Sequence, residues 1–231
     1  MLAPPAIEQL LARHAGTIPL TYLRALARHE SGFNPQNVNP KSNATGLFQI
    51  TSIALADFNR ANGTKHTLAD LAEPELATRV AVRHVGAVLQ AYAVVPSLRG
   101  DWTNRRFLEL VTFGWNSGHN AVVRLAKLLE QQGITGERIT VDTVHQLAVK
   151  LKVPYLSEPS RLAWAKTVAT TALTPAGARP NVAAVVPSLR PSPGTSSASA
   201  VTSALLAAVV AGLGILAFKA LGDGQAGRVP A

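Results

Sequence analysis

The chain has 231 residues, no cysteine, 47% hydrophobic residues and a formal net charge of +9. That length suits one domain of ordinary size with appendages, and the missing cysteines exclude a disulfide framework and any cysteine-ligated zinc site. Residues 1–175 hold 18 Lys and Arg against 12 Asp and Glu, a spread surplus that suits a polyanionic surface of cell wall, lipid or nucleic acid without choosing among them.

Met1 to Glu8 carries neither a basic n-region nor an apolar h-region, so no secretory signal is expected. Residues 6–14 read as a short helix. Pro19 suits the first turn of a second, in which Leu20, Leu23, Leu26 and Ala27 recur at the spacing of an apolar face. Residues 31–45, rich in Asn, Pro, Ser and Gly, form an irregular loop. The run Gly46 to Ile50 is too short for a helix and is expected to form a small hairpin, after which Thr51 or Ser52 caps a helix from Ile53. A long helix begins after Glu73-Pro74. Another opens at Asp101 or Thr103 and runs to Phe113, where Gly114 to Gly118 should break it before Ala121 to Leu129 resumes. Residues 141–151 and about 158–173 complete the helices. No segment alternates with period two over strand length, so the fold class is all-α, or α-rich α+β, with enough chain to bury a core.

The composition changes at residue 174. Residues 174–200 are a Pro-, Ala- and Ser-rich linker. Val201 to Phe218 is almost wholly apolar and is followed by Lys219; eighteen residues at 1.5 Å each reach about 27 Å, enough for a bilayer core. A transmembrane helix is therefore expected at 201–219, before a polar tail at 220–231. Ala204, Ala208 and Gly212 make a small-residue stripe able to pack against another span.

Among side chains that can do chemistry, Glu30 stands out. It follows Leu26 by four residues and Leu23 by seven, and so points from the apolar face. It also lies in the last helical turn, where the macrodipole disfavours a carboxylate. Burial and dipole together should raise its proton affinity toward that of a general acid; the plainer alternative is a frayed helix end with Glu30 in water. His29-Glu30 does not begin a zinc-protease motif, because Phe33 stands where the second His would be. His14, His66, His84, His119 and His145 lack ligand spacing and read as surface or core histidines. No phosphate loop and no Gly-x-Ser-x-Gly elbow is present, and no cofactor or metal is expected.

Three clusters remain: Glu30-Ser31-Gly32-Phe33-Asn34-Pro35, Gly46-Leu47-Phe48-Gln49-Ile50 and Phe113-Gly114-Trp115-Asn116-Ser117-Gly118. In this order they resemble the lytic transglycosylases of the soluble, lysozyme-like (SLT) type, over about residues 17–130 and plausibly to 173. The third cluster departs from the family pattern, with Gly114-Trp115 where Ala-Tyr is usual. The resemblance implies a lysozyme-like domain over 1–173 that cleaves peptidoglycan between N-acetylmuramic acid and N-acetylglucosamine. Glu30 corresponds to the single catalytic acid and base, which protonates the glycosidic oxygen and then takes the proton of the muramoyl C6 hydroxyl as a 1,6-anhydro ring closes. Ser31, Ser42, Phe48, Gln49, Trp115 and Asn116 correspond to residues around the substrate. Gln49 would contact saccharide, Phe48 would line the cleft or pack the core, and Asn116 would hold cleft geometry. Ser42 competes with Asn39 for the acetamido contact. Trp115 stands where the family's Tyr bonds the catalytic carboxyl; an indole N–H can donate to that group but cannot accept from it.

A hydrolysing muramidase needs a second carboxylate, and none occurs from Ser31 to Ala56. Asp57 should face solvent. The alternatives kept open are hydrolysis on the same fold and an inactive, membrane-tethered wall-binding protein. The expected partners are glycan strands, one bilayer and other virion membrane proteins. A linker and anchor of this kind suit a phage enzyme in an internal virion membrane, acting at entry or lysis, or else a host cell membrane. Nucleic acid is not expected, since that reading rests on charge and Arg105-Arg106 alone.

Overall fold

The computed structural model describes residues 4–174. It contains eight helices: α1 (Pro5–His14), α2 (Leu20–Ser31), α3 (Ser52–Asn62), α4 (Pro74–Ala93), α5 (Arg105–Ser117), α6 (His119–Gln131), α7 (Val141–Lys150) and α8 (Pro159–Leu173), with short 3-10 turns between several of them. The linker, span and tail expected beyond residue 174 lie outside the described residues. Within them, no helix is long and apolar enough to cross a membrane.

Four of the helices, α3, α4, α5 and α7, begin where a side chain accepts from the first free N–H groups. Thr51 accepts from Ala54 at the head of α3, and Glu73 accepts from Glu75 and Leu76 at the head of α4. Thr140 and Thr143 form a reciprocal capping box on α7. The helix expected to open at Asp101 or Thr103 is capped by Asn104 instead, whose side chain accepts from Phe107 N–H. Asp101 is spent one turn earlier, accepting from the N–H groups of Thr103 and Asn104. The hairpin expected at 46–50 is replaced by two isolated bridges, Val38 with Thr45 and Thr45 with Ile50, and no strand occurs among the described residues. The loop is too strongly turned to hold a ladder.

α5 is the central element. It is buried from Phe107 to Gly114 and packs on α4, α6, α7 and α8, as an all-round buried helix should. Its one buried carboxylate, Glu109, is met by Arg105 at 2.8 Å. Arg106 donates to the carbonyls of Ser97, Ile139 and Arg99. The Arg105-Arg106 pair is thus engaged inside the domain. Tyr22 of α2 meets Thr112 of α5 at 3.2 Å; the Thr112 proton goes to Leu108 O, so Tyr22 is the donor. His29 of α2 meets Thr171 of α8 at 2.8 Å, and this bond docks α8 along α2.

The break expected over Gly114 to Gly118 falls at the last of these residues: α5 continues to Ser117 and the turn is at Gly118, with φ 92°. Gly114 serves close packing. A Cβ at this position would lie 2.3 Å from the Tyr92 hydroxyl, which donates to Leu110 O at 2.8 Å in the core. Gly114→Ala is expected to lower stability by about 2 kcal/mol, in the range of core overpacking. Urea unfolding checks this, and the loss should shrink in a Tyr92→Phe background, where the obstructing oxygen is gone.

Candidate active site

The first cluster follows from how α2 ends. Gly32, at φ 64°, closes the helix in a left-handed cap, its N–H bonding back to the Arg28 carbonyl. Phe33 repeats the left-handed conformation at φ 68° while its side chain is buried. Glycine takes this region freely, but a phenylalanine there is strained, and the buried Phe33 ring offsets that cost. The turn leaves Glu30 anchored on the last turn of a well-packed helix, not on a frayed end.

The second cluster is shaped by close approach and by hydrogen bonds. Gly46, at φ 83°, passes so near the Leu71 carbonyl that a Cβ would lie 2.2 Å from its oxygen. Gln49 also has positive φ, 47°. Its amide donates to Asn37 O at 3.0 Å and Gly46 O at 3.1 Å, so its own carbonyl oxygen is what it offers a ligand. Ser31 does not face a ligand: its hydroxyl donates to Leu47 O at 2.8 Å, tying this loop to α2, and it is not in the cleft wall. Phe48 is also absent from the wall. It is fully buried and packs edge-on to Trp115, with ring centroids 6.5 Å apart.

These elements surround a cleft of about 420 Å³. α2 contributes Glu30, and the loop before α3 contributes Asn39, Lys41, Ser42 and Gln49. α5 contributes Trp115 and Asn116, α4 contributes His84, and α8 contributes Arg161. Ser42 and Asn39 lie together at the exposed lip, where Asn39 Oδ1 accepts from the Ser42 N–H and Ser42 Oγ from the Ala44 N–H. Asn116 gives both its backbone and side-chain oxygens to Arg161. His84, read in the sequence as a surface or core histidine, stacks edge-on to Trp115 at 4.9 Å and faces the cleft. Its proton affinity is lowered, first by burial and then by the neighbouring His119. Arg161 carried no sequence signal at all: it lies 45 residues beyond Asn116, in a helix without a motif.

Among the described residues Glu30 is the only carboxylate in this wall. Asp57 is exposed and paired with Arg60. Trp115 Nε1 donates to Glu30 Oε1 at 2.8 Å, leaving Oε2 to carry a proton. Burial pushes the Glu30 pKa up to about 7, while the Trp115 hydrogen bond and the charge of Arg161 pull the other way. Among the described residues no group of three or more His, Asp or Glu side chains converges as metal ligands would.

The transglycosylase SLT domain model matches residues 11–134, more than half of the chain. The chain belongs to this family. Its fold is also similar to the crystal structure of the 70 kDa soluble lytic transglycosylase of Escherichia coli, with a TM-score of 0.53 and 22% identity over 73% of this chain. The chain spans about a quarter of that protein, 24% of its length. No curated protein matches at a significant level. All of α1 to α6 except the start of α1 falls in the matched stretch of this SLT domain, while α7 and α8 lie beyond it.

A raised carboxyl pKa carries a sign for stability. Between pH 4.5 and about 7 the folded chain holds a proton on Glu30 that the unfolded chain releases. That contribution is full below the unfolded value and is lost as pH rises through the folded one. Glu30→Gln is therefore expected to match the wild type in stability at pH 4 and to exceed it by about 3 kcal/mol at pH 8. Urea unfolding at the two pH values checks it, and a constant difference would contradict the burial of this carboxyl.

Proposed function

We propose that the domain is a peptidoglycan lytic transglycosylase that cleaves the β-1,4 bond between N-acetylmuramic acid and N-acetylglucosamine, with Glu30 as acid and then base. The observation that carries this reading is the solitary carboxyl in the cleft, buried to a pKa of about 7 and held through one oxygen only. Near neutrality such a group is present in both protonation states, which suits an acid that must later act as a base.

Glu30 Oε2 protonates the glycosidic oxygen as the bond to the muramoyl C1 breaks. The resulting carboxylate is stabilised by the Trp115 N–H and takes the proton of the muramoyl C6 hydroxyl. The C6 oxygen closes on C1 and leaves a 1,6-anhydro end. Hydrolysis needs a second carboxylate to activate water or trap the sugar, and among the described residues no other lines this cleft. Intramolecular closure needs none. Gln49, Ser42 and Asn39 supply polar groups along the wall for the sugar hydroxyl and acetamido groups.

The apolar run 201–218 supports attachment of this domain to a bilayer through a span at 201–219, with residues 174–200 as tether. A wall-cutting domain held in this way fits a phage virion membrane, or a host cell membrane, where it would open the wall locally during entry or lysis.

Glu30→Gln is expected to slow the clearing of a cell-wall suspension by at least about a hundredfold. Wild-type digests should contain anhydro-muropeptides by mass spectrometry, each lighter by one water than its hydrolytic counterpart; reducing ends alone would make the enzyme a muramidase. The full chain should also float with phospholipid vesicles, whereas a chain ending at residue 200 should stay in the lower fractions.

A further inference from the structure

The SLT family match ends at residue 134, yet the wall around Glu30 is completed by a side chain 27 residues further on. Arg161 sits in the first turn of α8 and lines the cleft with Glu30, Trp115 and Asn116. It is held from several directions. One guanidinium nitrogen donates to Asn116 Oδ1 at 2.6 Å and also to the Asn116 backbone oxygen. Nε donates to Glu158 at 2.9 Å, and the guanidinium lies over the Tyr155 ring, 4.8 Å from its centre.

The cradle has a cost, which argues that it is built for the arginine. Tyr155 adopts φ 65° and is 58% exposed as a residue. An aromatic residue so exposed in the left-handed region gains little from the core. What the ring does face is the guanidinium, an attraction of about 0.5–1 kcal/mol at such a site. The Asn116 carbonyl, in the last turn of α5, is one of the helix-end oxygens with no intrahelical partner, and a cation is the favoured group there.

We propose that Arg161 is a positioning residue for the Glu30 proton cycle: it clamps the end of α5 so that Trp115 stays on the carboxyl, and it supplies the fixed positive charge opposite the carboxylate formed between the two proton transfers. This inference rests on the transglycosylase reading above. An acid that gives a proton to the leaving oxygen and later recovers one from the C6 hydroxyl must survive as an anion in a buried site. The Trp115 N–H is a neutral donor. Arg161 adds a charge that no accessible pH removes, and it pulls the Glu30 pKa down against burial. The other titratable groups facing the carboxyl are weaker candidates. His84 from α4 is held toward its neutral form by burial. Tyr22 from α2 is buried and bonded to Thr112, its proton held more tightly than usual. Lys41 lies on the exposed loop at the lip, without a fixed partner.

The test uses the full chain with Arg161→Met, Arg161→Gln and Arg161→Lys, and two readouts. The first is the tryptophan fluorescence of resting protein against pH, since ionisation of Glu30 acts on the indole that donates to it. This transition should lie near pH 7 in the wild type and vanish in Glu30→Gln. The second is the alkaline limb of the kcat/KM profile for wall clearing. Loss of the charge in Arg161→Met and Arg161→Gln should move both upward by about half a pH unit or more. Arg161→Lys should keep both near the wild-type position while lowering kcat, because an ammonium has no second nitrogen for Glu158 and no planar face to lay on Tyr155 while it holds Asn116. Arg161→Gln retains a donor for Asn116, so it remains informative if Arg161→Met fails to fold. If the charge-removing variants lose activity with both midpoints unmoved, Arg161 is only a structural clamp and the proposal fails. If the fluorescence midpoint moves but the wild type clears no wall, the coupling stands and the transglycosylase reading falls.

Discussion

The structure depends on holding one half-buried carboxyl group in the wall of a cleft without a countercharge in contact with it. Glu30 receives a single hydrogen bond, from the Trp115 indole, and burial outweighs that bond and the Arg161 charge together. Fully charge-paired, the group would be a poor acid; unsupported in an apolar pocket, it would hold its proton too tightly to give it up. The geometry lies between these limits, and most of the unusual local structure serves it.

That structure is concentrated around the cleft. Gly32 and Phe33 turn left-handed in succession directly after the helix that carries Glu30. Gln49 turns left-handed in the facing loop, and Gly46 leaves no room for a side chain against Leu71. Ser31 joins the two segments by bonding Leu47. Gly114 lets α5 run unbroken past Tyr92, which sets the register of Trp115 and Asn116, the next two residues. Strain and close contact of this kind persist where surrounding packing over-determines the backbone. Here that packing is the all-round burial of α5 and the docking of α8 along α2 through His29 and Thr171.

An indole in place of a phenol also changes what the neighbouring group can do. A phenol can donate or accept, whereas the indole N–H only donates. It therefore favours the carboxylate and can accept nothing back from the protonated acid. The cleft around it is polar and basic, with Lys41, His84 and Arg161 in its wall and, among the described residues, Glu30 as its only acid.

Much of this was legible in the sequence, and the rest was not, for a definite reason. Apolar periodicity and local caps located the helices to within a few residues, because a cap and a helical face are determined by neighbours within about four positions. The same periodicity placed Glu30 on the inward face of α2, and the three motifs foretold the company of Trp115. Where a residue's role depends on what packs against it from far along the chain, local pattern failed. Gly114 read as a breaker because glycine usually is one, and only Tyr92 shows that it is there for contact. Ser31 sat in a motif but bonds Leu47, and of the two places open to Phe48 only packing shows that it takes the core, against Trp115. Arg161 had no local signal, since nothing within four residues distinguishes a surface arginine from one that the docking of α8 carries to the acid. The sequence by itself determined the helices and put Glu30 on the inward face of α2, both short-range matters. Only the tertiary structure decided which side chains surround that acid, because long-range packing sets both its desolvation and the position of the charges that oppose it.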